Sequence, residues 1–237
     1  MRLLIVANWK MNPVSWEEAE KMIMKAEKSV GEDCEVVLCP PFIFLDKTMA
    51  ILKSVKVGAQ NSSFEDIGAL TGEVSPKMLK YLGVEYVIVG HSERRAHFGE
   101  DDDMVNRKAR AVSRNGLSVI FCVGETEKER EEGKTNDVLK RQLTEGLEGV
   151  DGDVTVAYEP IWAIGSRRPC DPETAEKARL LIERVAGPCK VIYGGSVDSS
   201  NANQYLQTAS FSGLLIGGAS LDANEFGRIL KGCCSLV

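Results

Sequence analysis

Residues Ala157–Ser166 read AYEPIWAIGS, and the meaning of this stretch decides the fold. The run that feeds it, Val154–Tyr158, alternates Val154, Val156 and Tyr158 with Thr155 and Ala157. That alternation predicts a strand that delivers Glu159 at its C-terminal end. Pro160 has no N–H to give to a ladder and ends the pairing there. Ile161, Trp162, Ala163 and Ile164 are too apolar for an ordinary solvated loop. Apolar residues in a loop at that end of a strand suggest a lid that closes and excludes water. The alternative is a core strand with a chance carboxylate at its end.

Outward from this stretch, strand-like and helix-like patterns alternate along the whole chain. The strand-like runs are Leu3–Ala7, Glu35–Cys39, Val55–Ala59, Tyr86–Val89, Val119–Val123, Val154–Tyr158, Lys190–Tyr193 and Leu214–Ile216. Most are continuous Val, Ile, Leu and Cys, the pattern of parallel strands buried on both faces. Ser15 is placed to cap a helix with Ala19, Met22, Ala26 and Val30 on one face, and Asp171-Pro172 to start another with Ala175, Ala178 and Leu181/Ile182 inward. Eight such units in 237 residues allow about thirty residues each, the length of a strand–helix unit. No linker or change of composition divides the chain. A single domain over residues 1–237, an α/β fold of the (β/α)8 barrel type, is expected, with an open doubly wound sheet as the alternative.

Composition narrows the function. Net charge is −6, from 29 basic and 35 acidic residues, with no basic tract, so nucleic acid is not expected as a partner. The seven cysteines are odd in number and contain no C-x-x-C, which fits reduced thiols in a cytoplasmic protein better than a disulfide framework or a zinc site. Leu3–Ala7 is too short an apolar run for a signal peptide, and no segment approaches the ~20 apolar residues that span a bilayer, so no membrane partner is expected.

In a barrel, chemistry gathers where strands end. Gly194-Gly195 and Gly217-Gly218 follow the last two strands, where backbone N–H groups and a helix start commonly hold phosphate. A lone glycine pair would be read as a tight turn; two, after the right strands, favour a phosphate site. Asn8 and Lys10 flank Trp9, so on extended backbone both point into the mouth, where a cation balances a phosphate or an oxyanion. A merely solvated lysine is the alternative. His91 stands before Ser92, read as the cap of a helix beginning Glu93-Arg94-Arg95. A helix N-terminus disfavours the imidazolium, leaving a neutral ring that can donate to a carbonyl; a structural histidine in a turn is the other reading. Glu93 suits an ion-pairing, orienting role. His97 reads as surface, and Cys122 as packing within a strand.

Five motifs together resemble the triosephosphate isomerase family: Asn8-Trp9-Lys10-Met11-Asn12, Gly90-His91-Ser92-Glu93-Arg94-Arg95, Ala157 to Gly165, Tyr193-Gly194-Gly195-Ser196-Val197, and Gly217-Gly218-Ala219-Ser220-Leu221. The similarity runs in order from Arg2 to about Leu230. It implies a TIM barrel that interconverts dihydroxyacetone phosphate and D-glyceraldehyde 3-phosphate in glycolysis and gluconeogenesis, with no cofactor and no metal. It makes Glu159 the base and His91 the electrophile, with Lys10 and Asn8 supporting the enediolate. Ser92 and Glu93 support the site. Asn8, Trp9 and Lys10 would meet substrate, and the backbone N–H groups of Gly165, Ser196, Gly217 and Gly218 would hold its phosphate.

The resemblance further implies a homodimer, with loop Asn61 to Ser75, including Thr71, entering a pocket of the partner. Two departures stand out. The lid tip reads Gly165-Ser166-Arg167-Arg168 where the family commonly has Gly-Thr-Gly-Lys, and the segments before strands six and seven are short, which suggests trimmed outer helices. An epimerase would normally bring metal ligands that two histidines do not suggest. An aldolase-type lyase needs a lysine on an inner strand, where only Lys190, at a strand start, is offered. A non-catalytic phosphosugar sensor would have no need to keep Glu159, His91 and Lys10 together.

Overall fold

The computed structural model describes residues 2–165 and 168–234. Its strands are β1 (Leu3–Asn8), β2 (Cys34–Cys39), β3 (Lys56–Ala59), β4 (Tyr86–Val89), β5 (Ser118–Val123), β6 (Val154–Tyr158), β7 (Lys190–Tyr193) and β8 (Gly213–Ile216). Each pairs in parallel with its sequence neighbours, and β8 returns to β1 in the register Leu4 to Gly213 through Ala7 to Ile216, closing the barrel. The expected runs match the observed strands to within a residue or so at each end.

The helices are α1 (Trp16–Ser29), α2 (Leu45–Ile51), α3 (Pro76–Leu82), α4 (Ser92–Phe98), α5 (Asp102–Arg114), α6 (Glu127–Glu131), α7 (Thr135–Gly146), α8 (Pro172–Ala186), α9 (Ala202–Gln207) and α10 (Ala223–Cys234). Among the described residues, no helix is long and apolar enough to cross a membrane.

Two apolar layers explain why the strands read as continuous hydrophobic runs. Leu4, Val6, Val37, Cys39, Ile88, Ile120, Cys122, Ala157, Ile192 and Leu215 form one buried cluster that fills the barrel. Their neighbours in sequence, such as Ile5, Ala7, Val87, Phe121 and Val191, pack outward in a second cluster with the helices. Successive side chains on a strand face opposite ways, so both faces must be apolar here. Each fully buried Ile or Leu contributes about 1.5–3 kcal/mol against remaining exposed.

Helix caps set the entries. Ser15 accepts from the Glu18 N–H at 3.3 Å, and Asp171 from the Thr174 N–H at 2.9 Å with Pro172 opening α8. The buried stripe of α1 is Ala19, Ile23 and Ala26, with Met22 and Val30 only part-buried at its edge. In α8 it is Ala175, Ala178 and Ile182, with Leu181 at the edge. The helix before β7, α8, has 15 residues and joins that strand through Gly187-Pro188-Cys189, and the helix before β6, α7, has 12.

Candidate active site

Glu159 leaves β6 where the sequence places it. Its N–H still pairs with the Val123 carbonyl at 2.7 Å, then Pro160 turns the chain into a short 3-10 turn over Ile161–Ala163. The residue is 2% exposed. Its Oε2 accepts the Ser92 N–H at 3.0 Å, and its Oε1 lies 3.1 Å from His91 Nε2. Burial pushes this carboxyl up, but His91, the Ser92 N–H and Lys10 together hold it below the usual glutamate range. A Cβ on Gly194 would stand 2.9 Å from Glu159 Cγ, so the first glycine after β7 makes room for the carboxylate.

His91 is itself the cap of α4. Its Nδ1 accepts the Glu93 N–H at 3.2 Å, whereas the sequence suggested Ser92 for that task. Ser92 is instead the first helical residue, and its N–H is spent on Glu159. With an N–H aimed at Nδ1, a neutral ring carries its proton on Nε2 and donates it to Glu159. Burial lowers the proton affinity of this ring, but the Glu159 carboxylate outweighs it and raises the imidazole above the ordinary histidine range. The neutral ring expected from helix position alone is therefore opposed, in this arrangement, by the parked glutamate. His97 is exposed and takes no part, and Cys122 is buried beneath the site, its thiol pushed well up by burial.

Lys10 reaches the same mouth from the end of β1. Its Nζ pairs with Glu93 Oε1 at 2.6 Å, which gives Glu93 its ion-pair partner; Arg94 and Arg95 go elsewhere, to Glu100 and Asp102. Lys10 has φ +53°, a left-handed conformation uncommon for a residue with a Cβ. Two hydrogen bonds hold it there. Its N–H donates to Asn8 Oδ1 at 3.1 Å, and Gln60 Nε2 donates to the Lys10 and Cys39 carbonyls, both at 2.8 Å. Trp9, between them, is 1% exposed; it borders the cavity, but its ring belongs to the core.

These groups rim a cavity of about 380 Å³. Asn8, Lys10, His91 and Glu159 form one side. Gly165, Ser196, Gly217 and Gly218 form another, and Ile164 and Leu221 supply apolar wall. A Cβ on Gly218 would meet nothing within 4 Å, so the open space lies directly against that backbone. The cavity thus joins a carboxylate, an imidazole and an ammonium to a wall of glycine backbone. Ser166 and Arg167, at the lid tip, lie outside the described residues.

Glu125 was not singled out by sequence reasoning. It is 1% exposed, accepts from Trp162 Nε1 at 2.9 Å and from the Tyr158 hydroxyl at 3.2 Å, and its carbonyl accepts the Ile161 N–H at 3.1 Å. Arg130 lies over the Trp162 ring at 3.6 Å. The first turn after Glu159 is tied down on both its backbone and its aromatic side. The signal available was position alone: Glu125 and Gln60, like Glu159, stand just past strand ends.

Comparison with known proteins follows the same lines. The family model described as triosephosphate isomerase matches residues 3–233. Curated proteins named triosephosphate isomerase are similar over nearly their whole length. The one from Clostridium perfringens is 40% identical over 96% of this chain and 98% of its own. That from Dictyoglomus thermophilum is 42% identical over 97% and 99%, and that from Syntrophotalea carbinolica 44% identical over 97% and 98%. A closed parallel barrel, a mouth that gathers the five sequence motifs and this breadth of similarity agree: the chain belongs to the triosephosphate isomerase family.

Proposed function

We propose that this chain, acting as one domain over residues 1–237, interconverts dihydroxyacetone phosphate and D-glyceraldehyde 3-phosphate in glycolysis and gluconeogenesis, in the cytoplasm. The observation that carries the reading is the 3.1 Å approach of Glu159 Oε1 to His91 Nε2 beside a glycine-walled cavity. Glutamate base and neutral histidine are the family's standard assignment rather than a new one.

Substrate phosphate sits against the backbone N–H groups of Gly165, Ser196, Gly217 and Gly218, with Lys10 balancing its charge. Glu159 turns off Ser92 and removes a proton from C1 of the ketose. The C1–H electron pair becomes the C1–C2 double bond, and the carbonyl π pair moves to oxygen. His91 Nε2–H and Lys10 stabilise that oxygen as the enediolate forms. His91 Nε2 gives its proton to O2 and takes the O1 hydroxyl proton, so the negative charge passes to O1. As the C1=O bond re-forms from O1, the C1–C2 π pair takes the proton back from Glu159 at C2, and the aldose results. Leaving Ser92 and His91 removes the contacts that keep Glu159 weakly basic. Burial against Ile164 and Leu221 then raises its proton affinity at the moment it must act as a base. Water exclusion over the enediolate also protects the adjacent phosphate ester from elimination.

A coupled assay of triose phosphate interconversion tests the reading directly. The purified chain is expected to turn over both triose phosphates without added cofactor. Glu159→Gln keeps shape but loses the base, and kcat should fall at least about 10²-fold. Binding of an unreactive triose phosphate analogue should stay within a few-fold. Near-normal turnover in the variant would remove Glu159 from the role, and an inert parent chain would remove the function.

A further inference from the structure

The first turn before β2 and the last turn of α10 meet on the face of the barrel opposite the mouth. Cys34 opens β2, and Cys234 ends α10, 200 residues later. Their sulfurs are in direct contact, Cys234 Sγ lying 2.6 Å from Cys34 Sγ. The backbone is shaped to allow it. Gly31, in the turn between α1 and β2, would place a Cβ 3.1 Å from Cys234 Sγ, so the missing side chain leaves the notch that this sulfur occupies. The two sulfurs differ in access. Cys34 is 2% exposed and packs in the outer core, whereas Cys234 is part-exposed at the helix end. Cys233, beside it, is fully buried and belongs to the core.

We propose that Cys34 and Cys234 form a thiol–disulfide exchange site for low-molecular-weight disulfides, with Cys234 the entry thiol and Cys34 the resolving one, whose product is a bond joining β2 to α10. In the first step the Cys234 thiolate attacks one sulfur of RSSR, forms Cys234–S–S–R and releases RS⁻. In the second, Cys34 gives up its proton and attacks Cys234 Sγ, and the second RS⁻ leaves. Two protein thiols and one RSSR become one protein disulfide and two RSH; two electrons pass from protein to reagent. Burial and the adjoining Cys234 sulfur push the Cys34 thiol well up, which suits it to the second, intramolecular step rather than to capture from solution. Burial likewise pushes Cys233 up to about 12.

The bond would act on stability rather than on turnover. It closes most of the chain into one covalent ring and removes conformations from the unfolded ensemble. It lies at the N-terminal ends of the strands, whereas Asn8, His91 and Glu159 lie at the C-terminal ends. The inference does not depend on the isomerase reading and can fail or hold separately from it.

The test treats the reduced full chain with oxidised glutathione at about pH 8, where thiolates are populated. Thiol counting, peptide mapping by mass spectrometry, melting and turnover are then measured. The expected result is five free thiols in place of the seven in the sequence, a Cys34–Cys234 crosslinked peptide and unchanged turnover. Tm should rise by about 5 °C or more, reversibly with a reductant. Cys34→Ser should trap glutathione on Cys234 with no gain in Tm. Should that buried variant fail to fold, Cys234→Ser, at a part-exposed helix end, serves instead; it should form no crosslink and gain no Tm. Seven surviving thiols, a crosslink between another pair, or a Tm gain in Cys234→Ser overturns the proposal. A crosslink without a Tm gain overturns its stabilising role.

Discussion

His91 answers to two neighbours with opposite demands. Glu93 N–H occupies its Nδ1 and resists a second proton, while Glu159 stands 3.1 Å from Nε2 and attracts one. With Glu159 at this distance the carboxylate prevails, and the ring is held above the ordinary histidine range despite its burial. Once Glu159 turns toward a substrate carbon, its support for the imidazolium is lost. Burial, the Glu93 N–H and the positive charge of Lys10 then all favour the neutral ring. Ring-nitrogen NMR is expected to show His91 titrating above about 6.5 in the free protein. With an unreactive triose phosphate analogue bound, it should show a neutral ring from about pH 8 down to about pH 5. An imidazolium signal at pH 6.5 in the complex would end the neutral-electrophile reading. Residue chemistry of this kind was only partly legible beforehand. The helix start after Gly90 pointed to a neutral imidazole, but the contact with Glu159 joins residues 68 apart in sequence, and no local pattern encodes it.

At the scale of elements, the ends of β5 and β6 fit against each other with no room to spare. A Cβ on Gly124, the residue after β5, would lie 1.8 Å from the Glu159 carbonyl oxygen, a backbone atom that no rotamer change can move. Gly124 is held from its other side as well: its N–H donates to buried Gln142 Oε1 at 2.8 Å, and its carbonyl accepts from Gln142 Nε2 at 3.2 Å. Gly124→Ala is therefore expected to push β5 and β6 apart at the mouth and to cost about 1–3 kcal/mol, read as a lower urea midpoint. Turnover should fall too, because the displaced backbone carries Glu159. A variant of unchanged midpoint and turnover would contradict this packing. Strand identities, barrel closure and the mouth as the place where Asn8, Lys10, His91 and Glu159 meet were all legible in sequence. Continuous apolar runs at even spacing, each followed by polar or glycine residues, leave few other folds. What was not legible is the support beneath those residues. The left-handed Lys10, the Gln60 clamp and the Glu125–Trp162 tie each depend on contacts between different strand ends. The stripe of α1 centres on Ala19, Ile23 and Ala26, an i, i+4, i+7 spacing, with Met22 packed at its edge.

Across the whole molecule, carboxylates that tie loops together add to the loss of stability in acid. Arg114 holds Asp66 below the usual range from α5, the Thr174 side chain and N–H do the same for Asp171 at the start of α8, and Ser200 for Asp198 after β7. Each has a folded pKa below its ordinary 3.8, so its contribution is present in full above that value and is lost as pH falls through the folded one. Urea midpoints should fall as pH drops below about 4, with a smaller fall in Asp66→Asn; an unaltered fall would show that Asp66 carries none of it. Asp66 also bears on assembly, because it anchors loop 61–75. Its carboxylate takes Arg114 at 3.0 Å, Arg107 lies over the Phe64 ring at 3.7 Å, and the Ser63 N–H closes the base on the Val74 carbonyl at 2.8 Å. Beyond that rigid base, Ile67 is 77% exposed, and Leu70 is also exposed. A loop of this length held at its root, with apolar side chains at its tip, is an ordering cost without return unless the tip is buried elsewhere. A recess of about 530 Å³ with exposed Met11, Phe42 and Phe98 at its rim lies beside the active cavity and shares Asn8, Lys10 and His91 with it. We propose that the loop of one protomer fills this recess on a second copy, so that a homodimer forms and the partner shields the back of Lys10. Light scattering at micromolar concentration should give twice the chain mass. Ile67→Asp, which puts a charge on the buried tip, should give a monomer whose turnover falls because Lys10 and its Glu93 partner are left open to water. Should the unaltered chain prove a stable and fully active monomer, or Ile67→Asp remain a dimer, the loop is not the interface.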